Sequence, residues 1–437
     1  MKKFLFTLLF ILFLHPIDCF SKGISLIRDT EIENVLTSYA QKIFKVANLN
    51  PTQARVLVVN DGSFNAFVAG GHTIFVHTGL ITQSKYVDDV MFVLSHETGH
   101  ITGGHITRGI GALEQANATA LISTILGGLV AVAGRPDAGI AVMMGGNSSA
   151  AGLYTSYRQT EESAADRTAA DIMQKTGYSM LGFQNTMKLI KMQDRLMPQD
   201  EWSYLRTHPI TQNRINALER FLKNPQPTHK DIRFDLIKAK LIGFLYPPES
   251  TFNIYKGQNT LASYYAYAIA HYRNRNLNQS LAFIDKLIEA KPDYPYFYEL
   301  KGQFLLETGQ LEPAIHYYDN ALKYISNAPL IRLSLAQALL ETTHTNNAKR
   351  AIKELKQVLE SDEKIPFAWQ LLATAYEQTN QQELIPYVMA ERYVAYKDIK
   401  SAKKMAQKAL KTLKKGSPEY VRAQDILSLS LPKESGF

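Results

Sequence analysis

The stretch His96-Glu97-Thr98-Gly99-His100 places two imidazoles four residues apart. Residues at this spacing share one face of an α-helix, so both rings can bind a single metal ion. Glu97 can take a proton from a water molecule at that ion and later return it to a leaving amine. The spacing predicts one zinc ion per chain, bound by His96 and His100, and peptide-bond hydrolysis with Glu97 as the general base.

Zinc needs a third protein ligand, and the sequence offers three candidates. His105 follows His100 by five residues, which favours a supporting position around a ligand rather than a ligand itself. Glu161 and Glu162 lie about sixty residues further on, and Asp166 follows Glu162 by four. Asp166 could hold the free N–H of a ligand imidazole, which favours Glu162 over Glu161. The alternative for both glutamates is a solvated helix face.

The elements around these residues predict a mixed domain. Apolar residues at spacings of three and four predict a helix over Tyr86–Ile101, ended by Gly103-Gly104. A further helix is predicted over Ser156–Lys175, and it would carry the two glutamates. Three runs rich in β-branched and aromatic residues predict strands: Arg55–Asn60, Asn65–Ala69 and Thr73–His77.

The segment Ala116–Leu153 is rich in alanine and glycine. We interpret it as helices packed beside the site or as a mobile flap. Two transmembrane helices are the alternative, but the apolar runs are short and broken. Contact of this segment with a membrane face is a further hypothesis.

The first 21 residues predict a cleaved signal peptide. Lys2 and Lys3 precede the apolar run Phe4–Leu14, and small residues allow cleavage after Ser21. An uncleaved anchor is the alternative. Cys19 is the one cysteine of the sequence, so the mature chain would contain no disulfide and would depend on packing and bound metal for stability.

A repeat of 34 residues begins at about residue 261 and is typical of tetratricopeptide repeats. An ordinary helical bundle is the alternative. Four sets of positions share the period: Ala268, Gly302, Ala336; Ser280, Ala314, Ala348; Ile284, Tyr318, Ile352; and Leu287, Ala321, Leu355.

The predicted fold is an α+β zincin-type domain, mainly helical with a small sheet, followed by an all-α solenoid. The predicted boundaries are residues 1–21 for the signal peptide, 22–225 for the zinc metalloprotease domain, 226–260 for a linker with a helix, and 261–437 for the repeats.

The formal net charge of +8 is spread along the chain, with a mild cluster at Lys403–Lys415 that we interpret as a solvated helix face. Nucleic acid is not an expected partner, because an exported chain without a binding motif does not fit that class.

The combination of features resembles the HExxH peptidases that include the C-a-a-X prenyl protease, HtpX and the BepA-type periplasmic proteases. Its matching parts are VVNDGSFNAFVAGGHTIFVHTGLI, the HETGH helix with His105, Glu162 with Asp166, and Thr207-His208-Pro209 with Arg214. A signal peptide and C-terminal repeats point to the BepA-like branch. In one departure, Gln159 stands where the family has arginine, three residues before Glu162, and Arg158 lies one position earlier.

The resemblance implies that both histidines and the downstream glutamate bind zinc. It implies that Asn65, Ala66 and Phe67 form an edge strand on which an extended substrate pairs, because an open edge offers backbone groups to any sequence. A plain strand end is the alternative. His208 could polarise the substrate carbonyl, or reach the zinc and block its open position; a loop histidine without either role is the alternative.

The resemblance also implies a periplasmic location, unfolded or misassembled outer-membrane proteins as clients, and the barrel-assembly machinery as a partner of the repeats. Two other classes stay open. One is a chaperone or scaffold in which the repeats act and hydrolysis is secondary, and the other is a membrane-bound protease of the HtpX type. The sequence does not predict the oligomeric state.

Overall fold

The computed structural model describes residues 25–69, 71–105, 158–196, 208–222 and 226–430. Its contacts divide the chain into two compact units, Met1–Ile242 and Gly243–Phe437. The predicted signal peptide and the segment Ala116–Leu153 lie outside the described residues, and the predicted domain boundaries stay predictions. Among the described helices, none combines the length and apolar character needed to cross a membrane.

The first unit contains a four-stranded sheet of order β1-β2-β4-β3. Its strands are β1 (Leu26–Ile27), β2 (Arg55–Val59), β3 (Ala66–Ala69) and β4 (Thr73–His77). β2 and β4 run parallel, whereas β3 pairs antiparallel with β4, with Phe67 opposite Phe75. Among the described strands β3 pairs with β4 alone, so the segment predicted to pair with substrate forms an edge of this sheet.

Helices make up most of the described part of the first unit. They are α1 (Thr30–Val46), α2 (Thr78–Gln83), α3 (Val87–Gly103), α4 (158–176), α5 (Leu181–Leu196), α6 (Gln212–Glu219) and α7 (Ile232–Leu245), with 3-10 turns at Pro51–Gln53 and Arg220–Leu222. The predicted helix around HETGH is α3 and the predicted helix around Glu162 is α4. Helix α1, whose buried face includes Leu36 and Tyr39, was not predicted.

Hydrogen bonds and backbone conformation fix the two ends of α3. At its start, the Asp89 carboxylate accepts a hydrogen bond from the backbone N–H of Tyr86 at 3.1 Å. The neighbouring Asp88 carboxylate is fully buried and accepts from the Ser179 N–H at 2.6 Å. At its end, Gly104 adopts a left-handed conformation with φ 63°, which glycine reaches without strain. These contacts fix the helix that carries both histidines.

The backbones of α3 and α4 lie close together where Gly99 faces Ala165. A Cβ atom on Gly99 would lie 2.7 Å from the Ala165 Cα atom and 2.9 Å from its carbonyl oxygen. No side chain fits in this space, so glycine inside HETGH permits the crossing. The crossing brings Glu162, one turn before Asp166 on α4, up to the histidine face of α3.

The second unit is an array of paired helices. The helices are α8 (Pro248–Ile254), α9 (Leu261–Arg273), α10 (Leu277–Ala290), α11 (Pro295–Glu307), α12 (Leu311–Tyr324), α13 (Pro329–Glu341), α14 (Thr345–Ser361), α15 (Pro366–Gln378), α16 (Ile385–Ala395), α17 (Ile399–Thr412) and α18 (Pro418–Ser428), with a 3-10 turn at Gln382–Leu384. The helices α9, α11 and α13 begin 34 residues apart, and so do α10, α12 and α14. The repeat seen in the sequence therefore corresponds to three helix pairs, and the later pairs depart from the period.

Small residues lie where the paired helices cross. A Cβ atom on Gly302 would lie 3.0 Å from the Tyr318 ring, and the equivalent Ala268 and Ala336 are fully buried. The predicted fold class, a metalloprotease domain with a small sheet followed by an all-helical solenoid, is confirmed.

We expect Gly99→Val to push α3 and α4 apart, because a branched side chain would overlap the Ala165 backbone. Overpacking of this kind costs about 1–3 kcal/mol, and the displaced Glu162 should lower zinc content to a small fraction of the wild-type value. Metal analysis and thermal unfolding measure both effects. Thr102→Val, at an exposed position of the same helix, is the matched control; equal zinc in both variants would contradict this account.

Candidate metal centre

Four buried side chains converge in the first unit: His96, His100, Glu162 and His208. One ligand atom from each lies within 4.8 Å of the other three. His96 and His100 come from α3, Glu162 from α4, and His208 from the segment before α6. Glu161 is also buried, but it is not part of this group.

The distances within the group match those of a zinc-binding site. His96 Nε2 lies 3.2 Å from His100 Nε2 and 3.3 Å from Glu162 Oε2, and His100 Nε2 lies 3.4 Å from Glu162 Oε1. Ligands at zinc bond lengths of 2.0–2.1 Å in a tetrahedron are separated by roughly 3.4 Å. Imidazole nitrogens and a carboxylate are also ligands that zinc prefers, so these residues fit the ion.

A second group of side chains orients the imidazoles. His96 Nδ1 lies 3.0 Å from Asp166 Oδ1, and His100 Nδ1 lies 2.8 Å from His105 Nδ1. Because the Nδ1 atoms are engaged in this way, both Nε2 atoms are directed toward Glu162. The structure thus brings Asp166 and His105 next to the histidines that they were predicted to support.

Arg214 connects the carboxylates of α4. Its Nε and Nη2 atoms donate to Asp166 at 2.7 and 2.9 Å, and its Nη1 atom lies 3.1 Å from Glu162 Oε2. Arg214 Nη1 also donates to the Pro209 carbonyl at 2.6 Å, which ties the His208 segment to the same guanidinium. Arg214 belongs to the matching parts of the family resemblance, but no role was predicted for it. Nothing in its spacing from Asp166 could have revealed this contact, because 48 residues separate them.

His208 lies between two carboxylates of the site. Its Nδ1 atom is 3.1 Å from Glu162 Oε1, and its Nε2 atom is 3.3 Å from Glu97 Oε1. Its Nδ1 atom is also 3.3 Å from His96 Nε2. His208 can therefore contact either the metal-binding group or the carboxylate of Glu97.

Burial and neighbouring charges shift the acidities of the site. Burial raises the pKa of Glu97 to about 7, although the charges of His100 and His96 oppose this change. Burial lowers the pKa of His96, but Asp166 and Glu162 outweigh it and raise that pKa to about 10. Burial would raise the pKa of Glu162, yet the surrounding imidazoles hold it well below its usual range.

The predicted substrate segment packs beside α3. The Asn65 carbonyl accepts from the His77 N–H at 3.0 Å, so residues 65 and 67 bond inward to β4 and the backbone groups of residue 66 point outward. The Ala66 N–H donates to the Asn65 side-chain oxygen at 2.8 Å. The preceding backbone is also held, because the Phe64 N–H donates to Gln193 at 2.7 Å.

Two imidazoles from one HExxH helix and a carboxylate from a second helix define a zincin-type metalloprotease centre. Residues 27–222 match the sequence model of Peptidase family M48. The chain thus carries a Peptidase family M48 domain, and it is a zinc metalloprotease.

Two similar proteins align with most of the chain, and a third aligns with a shorter part of it. The Beta-barrel assembly-enhancing protease of Yersinia pestis is 24% identical over 373 residues, which cover 82% of this chain and 75% of the relative. The protein of the same name from Escherichia coli K12 is 23% identical over 409 residues, 91% of this chain and 82% of the relative. Metalloprotease LoiP of Escherichia coli K12 is 25% identical over 167 residues, 38% of this chain and 62% of the relative.

We expect zinc affinity to rise with pH. His96, with its pKa raised to about 10, is protonated at neutral pH in the metal-free protein, so zinc must displace a proton. Release of one proton increases the association constant by about tenfold per pH unit below that pKa. Chelator-competition titrations between pH 6 and about 8 measure this slope. Asp166→Asn should flatten it, since Asp166 raises the pKa of His96; an affinity independent of pH in the wild type would contradict the prediction.

Proposed function

We propose that this metalloprotease is a periplasmic endopeptidase that cleaves unfolded or misassembled proteins during outer-membrane protein assembly and quality control. The observation that carries the proposal is the convergence of the His96 and His100 Nε2 atoms with the Glu162 carboxylate at zinc-ligand spacing. The names of the two long relatives, both beta-barrel assembly-enhancing proteases, support the proposed setting.

In this proposal His96, His100 and Glu162 hold the zinc ion. When bound, zinc supplies a Lewis acid that polarises the scissile carbonyl and makes a water molecule more acidic. Glu97 accepts the proton of the attacking water and delivers it to the leaving amine. Burial raises the pKa of Glu97 to about 7 in the metal-free protein. Bound zinc would lower it and favour the carboxylate form, which accepts the proton.

Asp166 and His105 are positioning residues in this proposal, and Arg214 joins them. Arg214 holds the carboxylates of Asp166 and Glu162 together against their mutual repulsion. Asp166 in turn keeps His96 in the orientation that presents its Nε2 atom to the ion.

His208 has two possible roles that its position supports. Its Nε2 atom, 3.3 Å from Glu97, could donate to the developing oxyanion of a bound substrate. Its Nδ1 atom, which lies beside Glu162, could instead occupy the fourth ligand position while substrate is absent.

The substrate pairs with the edge strand in our proposal. Asn65, Ala66 and Phe67 would bind an extended peptide through the outward backbone groups of Ala66. Such pairing depends on hydrogen bonds to the substrate backbone rather than on substrate side chains, which suits an enzyme that acts on many unfolded sequences. The Ala66 N–H would exchange its bond to the Asn65 side chain for one to the substrate.

The solenoid would contact the outer-membrane assembly machinery. A second candidate function follows from this arrangement: the repeats act as a scaffold or chaperone, and hydrolysis is secondary or repressed. The position of His208 beside Glu97 and Glu162 supports this second candidate. If His208 blocks the metal site at rest, hydrolysis stops while the repeats can still bind partners.

We expect Glu97→Gln to abolish casein hydrolysis while zinc content stays stoichiometric, because the amide cannot accept a proton and Glu97 is not a proposed ligand. The same variant separates the two functions in cells that lack the protein. Failure to restore outer-membrane protein assembly would support the protease. Full restoration would overturn it in favour of the scaffold.

We expect metal content to distinguish the ligands from their neighbours. Glu162→Gln should lose zinc, whereas Glu161→Gln, changed at the adjacent residue, should keep it. His208→Ala should keep zinc and alter turnover. Zinc lost from the His208 variant would make His208 a structural ligand, and zinc retained by the Glu162 variant would contradict the proposed ligand set.

A further inference from the structure

Near the C-terminal end of the solenoid, one face of a helix carries a row of positive charges. Residues 399–418, which comprise α17 and the turn after it, contain seven lysines, no arginine and no acidic residue. One face of this segment is buried in the alanine-rich cluster between α16 and α18 through Ala402, Ala406, Ala409 and Leu413. The buried face fixes the rotation of the helix and leaves the opposite face to solvent.

Four of the seven lysines, Lys400, Lys404, Lys408 and Lys411, form a row on the solvent face of α17, because they recur at spacings of three and four. These four and Lys415, in the turn after the helix, are all exposed, and we call the five the lysine stripe. A helix of this length extends about 20 Å, which is enough to span several lipid headgroups.

Other basic residues of the solenoid form ion pairs with nearby carboxylates, unlike the described contacts of the lysine stripe. Lys301 pairs with Asp285, Arg350 with Asp319, and Arg422 with Glu391. Within residues 226–430, no carboxylate forms an ion pair with the stripe. Asp398 lies nearest in sequence, and its carboxylate caps α17 by accepting from the Ser401 N–H at 3.0 Å. Like charges one turn apart repel, and no ion pair among residues 226–430 offsets this repulsion, so an anionic surface would relieve it.

The chemistry of the stripe favours a lipid surface over a folded anionic partner. Arginine is the usual residue for bidentate recognition of phosphate or carboxylate, whereas lysine acts as a hydrated point charge. A row of lysines without arginine therefore suits a diffuse anionic plane. Tyr396, the first residue after α16, is 57% exposed, with the Arg392 guanidinium 5.4 Å from its ring centre. Tyrosine flanked by cations is typical of the interface between water and a bilayer.

We propose that the lysine stripe docks the solenoid on a bilayer surface that carries anionic phospholipid headgroups, with Tyr396 entering the headgroup layer. Lysines near such a surface act through long-range attraction, so binding weakens as salt screens the charges. The proposed docking needs no proteolysis, and it uses residues outside the metal centre.

The test is co-sedimentation of the full chain with vesicles of phosphatidylcholine alone or with about 30% phosphatidylglycerol. We expect enrichment only on the anionic vesicles, at low salt, and loss of at least about tenfold in binding for Lys404→Glu/Lys408→Glu/Lys411→Glu. The exposed triple Lys349→Glu/Lys353→Glu/Lys356→Glu on α14 has the same spacing and the same change in net charge, and it should retain binding.

Both triple variants should unfold at the wild-type temperature and hydrolyse casein at the wild-type rate, since neither touches the metal centre. Equal loss of binding in the two triples would show that net charge alone acts, and it would overturn the proposal. Failure of the wild type to bind anionic vesicles would also overturn it. If polyglutamate or DNA then bound the stripe, the partner would be an acidic protein or a nucleic acid.

Discussion

The backbones of α3 and α4 touch where Gly99 meets Ala165, and the metal centre depends on this contact. With 2.7 Å between a hypothetical Gly99 Cβ and the Ala165 Cα atom, any side chain at position 99 would separate the two helices. The imidazoles of His96 and His100 come from one helix and the Glu162 carboxylate from the other. Three ligands therefore converge only because one residue between the two histidines has no side chain.

The crossing also concentrates charge in a place that water barely reaches. Glu97, Glu162 and Asp166 are all buried, and Arg214 is the buried guanidinium that links two of them. Buried charges are costly unless they are paired. In the metal-free protein part of the balance comes from His96, whose raised pKa keeps it protonated. A divalent cation bound by the same ligands would replace that proton. Metal binding would therefore also neutralise the negative charge of the buried carboxylates.

Local patterns in the sequence predicted the parts of the site that lie within single elements. HETGH predicted two imidazoles on one helix face, and the spacing of Glu162 and Asp166 predicted a carboxylate pair on another. The 34-residue period predicted helix pairs, which appear as helix starts at Leu261, Pro295 and Pro329.

Contacts between distant elements could not be predicted in the same way. The sequence spacing says nothing about Arg214 reaching Asp166, since that contact depends on where the chain returns after α5. The role of Gly99 in the helix crossing could not be predicted, because a single glycine between two ligands forms no repeating pattern. The helix α1 went unpredicted although it is amphipathic, with residues such as Ile32 and Leu36 buried against the unit.

The arrangement of ligands is tested most directly by zinc K-edge X-ray absorption on the purified protein. We expect one zinc per chain, with at least two imidazole nitrogens at about 2.0–2.1 Å and a carboxylate oxygen at a similar distance. Loss of the oxygen contribution in Glu162→Gln would assign that oxygen ligand to Glu162 on α4. A chain without stoichiometric zinc, or a zinc ion with fewer than two imidazoles, would contradict the account.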